Sequence, residues 1–127
     1  MEHLTRIAAI AAGGAFGAVA RYLINISPLH AVFGKFPLPT FVINITGSFL
    51  IGFLLILFTD KYDVGETMRF AVLVGFLGAF TTFSTFELEL WELLREGHYP
   101  TALIYLILSI TTGFLGVAAG ISFAKRI

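Results

Sequence analysis

Gly75-Phe76-Leu77-Gly78-Ala79-Phe80-Thr81-Thr82-Phe83-Ser84-Thr85-Phe86 is the stretch whose reading decides the fold. It sits in an uncharged run from Phe70 to Phe86, inside a longer segment ending near Glu96. From Thr67 to Glu96 is 30 residues, about 45 Å of straight helix and longer than the hydrocarbon core is thick. Two β-branched threonines after two glycines make a poor helix interior. The pattern admits a break near residues 76–82. A break would free backbone carbonyls at membrane depth, where only protein, water or an ion can satisfy them. It also admits an unbroken helix whose hydroxyls bond back to the preceding turn.

The rest of the chain places that segment in a bilayer. Of 127 residues, 57% are hydrophobic and 13% charged, about half the usual charged share, and mean hydropathy is +0.92. A soluble globule of this size could not cover its surface with so few charges. Eight basic residues balance eight acidic ones, so no net field recruits a polyanion such as nucleic acid. With no cysteine there is no disulfide, thiol nucleophile or cysteine metal site. Phe36 to Thr59 and Tyr99 to Ala124 are 24 and 26 residues without a charge, and about 20 suffice to span.

The expectation is one all-α membrane domain over residues 1–127, with four transmembrane helices at about 4–27, 38–59, 64–96 and 99–124. The first has a second reading: Arg6, an apolar run and Ala18-Val19-Ala20 match a cleavable signal peptide. However, the apolar stretch continues past Arg21 through Tyr22-Leu23-Ile24 to spanning length. Ser27-Pro28 and the Pro37/Pro39 pair bracket the first loop. Five charges among Asp60 to Arg69 mark the second. Asp63 with Glu66 resembles a capping box opening the third helix, Gly97 ends that helix, and Pro100 suits the first turn of the fourth.

Small residues recur every four positions: Ala9, Gly13 and Gly17; Asn44, Ser48 and Gly52; Thr112, Gly116 and Gly120. Such stripes let helix backbones approach closely in lipid. After Phe86 the third segment turns amphipathic, mixing Glu87, Glu89, Glu92, Arg95 and Glu96 with leucines and Trp91. Carboxylates are costly at the bilayer centre, so this half rises toward the interface with Trp91 as an anchor. A proton-coupled role for Glu87 or Glu89 is a second reading.

The run from Gly75 to Phe86 resembles the third-helix signature of the Fluc (CrcB) fluoride channels. Further matches follow in order: Gly17-Ala18-Val19-Ala20-Arg21-Tyr22, Thr40-Phe41-Val42-Ile43-Asn44, and Tyr105 with Ser109. The resemblance implies a fluoride-selective channel that exports fluoride passively and relieves its toxicity. It implies a multi-pass protein of the cell inner (plasma) membrane, assembled as an antiparallel, dual-topology homodimer with two pores. It further implies a structural sodium ion on the two-fold axis, held by the backbone carbonyls of Gly78 and Thr81. The family's pore phenylalanines fall on Phe83 and Phe86, its second-helix asparagine on Asn44, and its fourth-helix polar track on Tyr105 and Ser109. Ala79 replaces a glycine common in the family. The track's next serine, one turn past Ser109, is Gly113 here.

The chemistry of these residue types fits the same conclusion. Fluoride is small, strongly hydrated and a very good hydrogen-bond acceptor, so a pore must replace its water with donors. Asn44 offers an amide, while Thr82, Ser84, Thr85, Ser109 and Tyr105 offer hydroxyls. Phenylalanine presents a positive ring edge. Neutral donors dehydrate an anion without trapping it. No Ser-His-Asp set, cofactor motif or metal-ligating histidine cluster points to an enzyme, and His3, His30 and His98 read as residues near helix ends. Arg21 either draws anions to a pore mouth or fixes the fold through helix-end carbonyls or a carboxylate.

Two rival classes remain. A small proton-coupled multidrug-resistance-type exporter is also short, four-spanning and dimeric. It relies on a carboxylate in its first helix, and there is none between Arg6 and Ser27. A non-transporting assembly subunit would not need the polar third helix. With four spans, Arg6, Lys61, Arg69, Lys125 and Arg126 face one side of the membrane and Arg21, Lys35 and Arg95 the other. That bias is small, and it is compatible with insertion in both orientations.

Overall fold

A computed structural model describes all residues, Met1–Ile127. Four helical spans are long and apolar enough to cross a membrane: Glu2–Ala31, Leu38–Lys61, Glu66–Arg95 and Tyr99–Arg126. Within them, α1 is Glu2–Asn25, α2 Leu38–Ile56, α3 Glu66–Arg69, α4 Leu77–Phe80, α5 Phe83–Arg95 and α6 Tyr99–Arg126. A π-helical segment, Phe70–Phe76, joins α3 to α4, and a π-helical turn, Leu57–Lys61, extends α2. Only 16 of the 127 residues are buried. Large apolar side chains point outward from every span, among them Phe16, Leu55, Leu88 and Phe114. A helix apolar all round is a membrane span; the chain is a multi-pass membrane protein.

The termini follow local chemistry. The first loop folds into a 3-10 turn, Pro28–Ala31, and Pro39 lies in the first turn of α2. α5 closes with a Schellman motif: His98 N–H donates to Leu93 O at 2.8 Å and Gly97 N–H to Leu94 O at 3.1 Å. Gly97 takes φ 82 there, a conformation only glycine adopts without penalty. Pro100 sits in the first turn of α6, where its missing N–H is not needed. The opening of the third span corrects the capping-box reading of Asp63. Gly65 is the N-cap and no side chain caps it. Glu66 instead accepts from Arg6 at 2.5 Å, tying the start of α3 to the start of α1, and Arg6 also lies 5.6 Å from the Phe70 ring centroid.

The glycine stripe of α1 seats the third span. A Cβ on Gly13 would collide with the Ala71 carbonyl, and one on Gly17 with the Phe76 carbonyl. Gly75 answers from the other side, its own missing Cβ making room for Ile10 O. The contact is therefore backbone on backbone along the π-helical segment, the close approach that small residues permit in lipid. α2 and α6 pack the same way, Gly52 against Val117 and Gly120 against Phe49.

Helical geometry continues through Gly75 and Gly78 and stops only at Thr81 and Thr82, the far edge of the 76–82 range. Thr81 has φ −78, ψ 155 and Thr82 φ −149, ψ 118, both extended. Gly75 stays helical where α1 packs against it, and Gly78 stays helical on an exposed face. Two buried clusters flank the interruption. Ile43, Leu77 and Phe80 lie on one side, and Phe86, Leu93, Ala102 and Tyr105 on the other.

Candidate functional site

Extended residues inside a span leave peptide groups that a helix would have paired. At Thr82 the partner is a side chain from α2. Thr82 N–H donates to Asn44 Oδ1 at 2.9 Å, and Asn44 Nδ2 donates to Thr82 O at 3.0 Å. The asparagine amide thus acts as one rung of a ladder, and one of its two N–H bonds stays free for another acceptor. Thr82 also caps α5, its Oγ1 accepting from Thr85 N–H at 3.2 Å. Thr81 is held from behind, its N–H and Oγ1 both reaching Leu77 O at 3.0 and 2.9 Å.

These bonds release two carbonyls. In an unbroken helix Gly78 O would accept from Thr82 N–H and Thr81 O from Thr85 N–H. Both donors are turned elsewhere, to Asn44 Oδ1 and to Thr82 Oγ1. Gly78 itself is exposed, with open space where a Cβ would stand. Gly78, Thr81, Thr82, Asn44, Ser48 and Phe83 line an open groove of about 340 Å³ on this face.

The phenylalanines of the motif part company. Phe83 is 73% exposed beside the groove, whereas Phe86 is 4% exposed in the core, their centroids 6.0 Å apart. Phe86 meets Tyr105 edge-on at 5.0 Å and 76°. Phe36 meets Tyr105 at 5.3 Å and 72°, and Phe41 at 5.5 Å and 68°. The result is a chain of ring edges against faces, the arrangement the ring quadrupole favours.

Tyr105 is fully buried, and its hydroxyl donates to Glu89 Oε2 at 3.2 Å. Thr40 Oγ1 donates to Glu89 Oε1 at 2.5 Å. One turn along α6, Ser109 Oγ is buried and has no hydrogen-bond partner. Ser84 is exposed and Thr85 half-buried. The structure therefore gathers Asn44, Thr82, Thr85 and Phe86 about the interruption and its cap, and stacks Tyr105 and Ser109 along the inner face of α6. Arg21, half-exposed near the end of α1, pairs with no carboxylate.

Thr40 and Glu89 are the residues the sequence reading left outside the site. A signal existed: Glu89 lies three residues after Phe86 and four before Leu93, on the stripe α5 buries. A carboxylate on a buried stripe needs donors, and Thr40 and Tyr105 supply them. Beyond this pair lies a cavity of about 330 Å³ lined by Asn25, His30, Lys35, Thr40, Glu89 and Glu96. Lys35 stands 3.5 Å from Glu96 at its rim. The cavity runs from the first loop to Thr40 and Glu89, and its lining is mostly polar.

Residues 8–121 match the family described as CrcB-like protein, Camphor Resistance (CrcB). A protein of Hydrogenovibrio crunogenus is 40% identical over 125 residues, covering 98% of this chain and 94% of its own length. One of a Hydrogenobaculum species is 46% identical over 112 residues, covering 88% and 91%. A third, from Magnetococcus marinus, is 43% identical over 120 residues, covering 91% and 97%. All three relatives are named fluoride-specific ion channel FluC. With the family match spanning most of the chain and these relatives aligned nearly end to end, the chain belongs to the CrcB family.

Proposed function

We propose that this protein is a fluoride-selective channel, not an enzyme, and that it lets fluoride leave the cell passively through the inner membrane. The observation that carries the reading beyond family membership is the buried, unpartnered Ser109 hydroxyl one turn from Tyr105. A buried donor without a partner costs free energy, and a dehydrated anion passing along α6 would supply the acceptor. Tyr105 and Thr40 donate to Glu89 in this structure, so their hydroxyls reach a passing anion only by turning away from that carboxylate. Asn44 contributes its free N–H while its other atoms hold the third span open at Thr82. Phe83 lies exposed at the groove, and Phe86 packs edge-to-face with Tyr105. Ser84 and Thr85 add hydroxyls beside them.

The functional unit in this reading is an antiparallel homodimer of dual topology with two pores. Support comes from the exposed groove, from Phe83 left uncovered at 73% exposure, and from the small difference in positive charge between the two sides. Arg21 lies at a pore mouth, where its unpaired charge draws anions. A sodium ion fits the donor set at the interruption. Gly78 O and Thr81 O lose their helical donors on an exposed, carboxylate-free face. Two copies of the pair would offer four neutral oxygens, suited to a hard monovalent cation. Sodium bound there supplies positive charge that fixes the two chains together. The test is reconstitution into liposomes with a fluoride electrode and a chloride control. Fluoride efflux with little chloride efflux is expected. A folded protein that releases no fluoride would overturn the reading.

A further inference from the structure

The polar column on α6 has a gap. Tyr105, Ser109 and Gly113 are spaced by four and share a helix face, and the third position carries no side chain. A Cβ at Gly113 would stand 3.6 Å from Ser48 Oγ and 3.8 Å from Ile45 Cδ1. The space is therefore open to ordinary contact, and its border on α2 is a hydroxyl.

Hydroxyls on these helices divide into occupied and free ones, and Ser48 belongs with Ser109 among the free. Thr59, Thr81, Thr111 and Thr112 each donate back to the carbonyl four residues earlier. Ser48 makes no such bond and has no side-chain hydrogen-bond partner. It is half-buried, one turn after Asn44 on the same face of α2, and lines the groove shared by Asn44, Thr82 and Phe83. A free hydroxyl between Asn44 and the Gly113 gap has the position and chemistry of an anion donor.

We infer that Ser48 is an anion-binding residue of this channel, supplying from α2 the hydroxyl that α6 lacks at Gly113. The inference rests on the channel reading and adds a ligand to it. Fluoride moving past Ser109 meets Ser48 Oγ next. The column continues across two helices, and Gly113 leaves room for the ion beside it.

The test moves the hydroxyl from one helix to the other. Ser48→Ala should lower fluoride efflux by about tenfold, the loss of one hydrogen bond to a charged group, while eluting as the wild-type species. Ser48→Ala/Gly113→Ser should bring efflux back to within about threefold of wild type. If Ser48→Ala does not fold, Ser48→Cys keeps the volume, weakens the donor and should show the same fall. Wild-type efflux in a folded Ser48 variant overturns the inference alone, as does a folded double variant no faster than Ser48→Ala. A wild-type protein that passes no fluoride overturns the channel reading and this inference together.

Discussion

Phe83 and Phe86 share a motif and a helix face yet sit in opposite environments, one 73% and the other 4% exposed. An aromatic edge attracts an anion and an aliphatic side chain of similar bulk does not. Phe83→Ile and Phe86→Ile should each lower fluoride efflux by about tenfold, read in liposomes with the electrode. Their stabilities should differ. Phe83→Ile changes an exposed side chain and should leave thermal unfolding in detergent unchanged. Phe86→Ile loses the edge contact with Tyr105 and should lower it. Wild-type efflux in both would remove these rings from the mechanism. The same contrast shows how little of the site's environment is visible residue by residue: spacing puts the two rings on one face but does not say which of them the chain covers.

At the scale of the element, the third span depends on one asparagine from another helix. Asn44 satisfies both peptide groups of Thr82, so its removal strands a donor and an acceptor at membrane depth. Asn44→Ala should cost about 2–5 kcal/mol, the penalty for two unsatisfied groups, measured as a lowered unfolding midpoint together with lost efflux. An unchanged midpoint would mean that Thr82 finds other partners. The composition of the stretch allowed both a broken and a continuous helix. The tie was decided by packing. α1 meets Gly75 along its backbone and keeps that region helical, and Asn44 takes over the peptide group only at Thr82. The distance from Asn44 to Thr82 along the chain is 38 residues, which no local propensity can register.

For the whole molecule, the exposed groove and the near-balanced charge lead to predictions about assembly. A Cβ at Gly78 meets nothing within the chain, so Gly78→Leu should leave the single chain folded. In the dimer proposed here the same leucine would crowd the axis, displacing the carbonyls of Gly78 and Thr81. Light scattering should show monomer, and efflux should be lost. A dimeric, conducting Gly78→Leu protein would argue against an axis at this point. A cysteine introduced at the C-terminus of this cysteine-free chain should react with an impermeant thiol reagent from both sides of the membrane. Labelling from one side only would point to fixed orientation and a different partner subunit.

By itself, the sequence determined that this chain spans a membrane four times as helices. That follows from the length and hydropathy of its uncharged runs, quantities summed over neighbouring residues. It also marked the stretch from Gly75 to Phe86 as the unusual element, since glycines, threonines and phenylalanines in that order are legible one after another. Tertiary structure alone decided where the third span opens, which ring is covered, and that Glu89 turns inward between Thr40 and Tyr105. Those outcomes depend on which helix stands beside which. A peptide group or a carboxylate in an apolar medium takes whatever donor the neighbouring helix presents, and the neighbour is set by backbone contacts between segments distant in the chain.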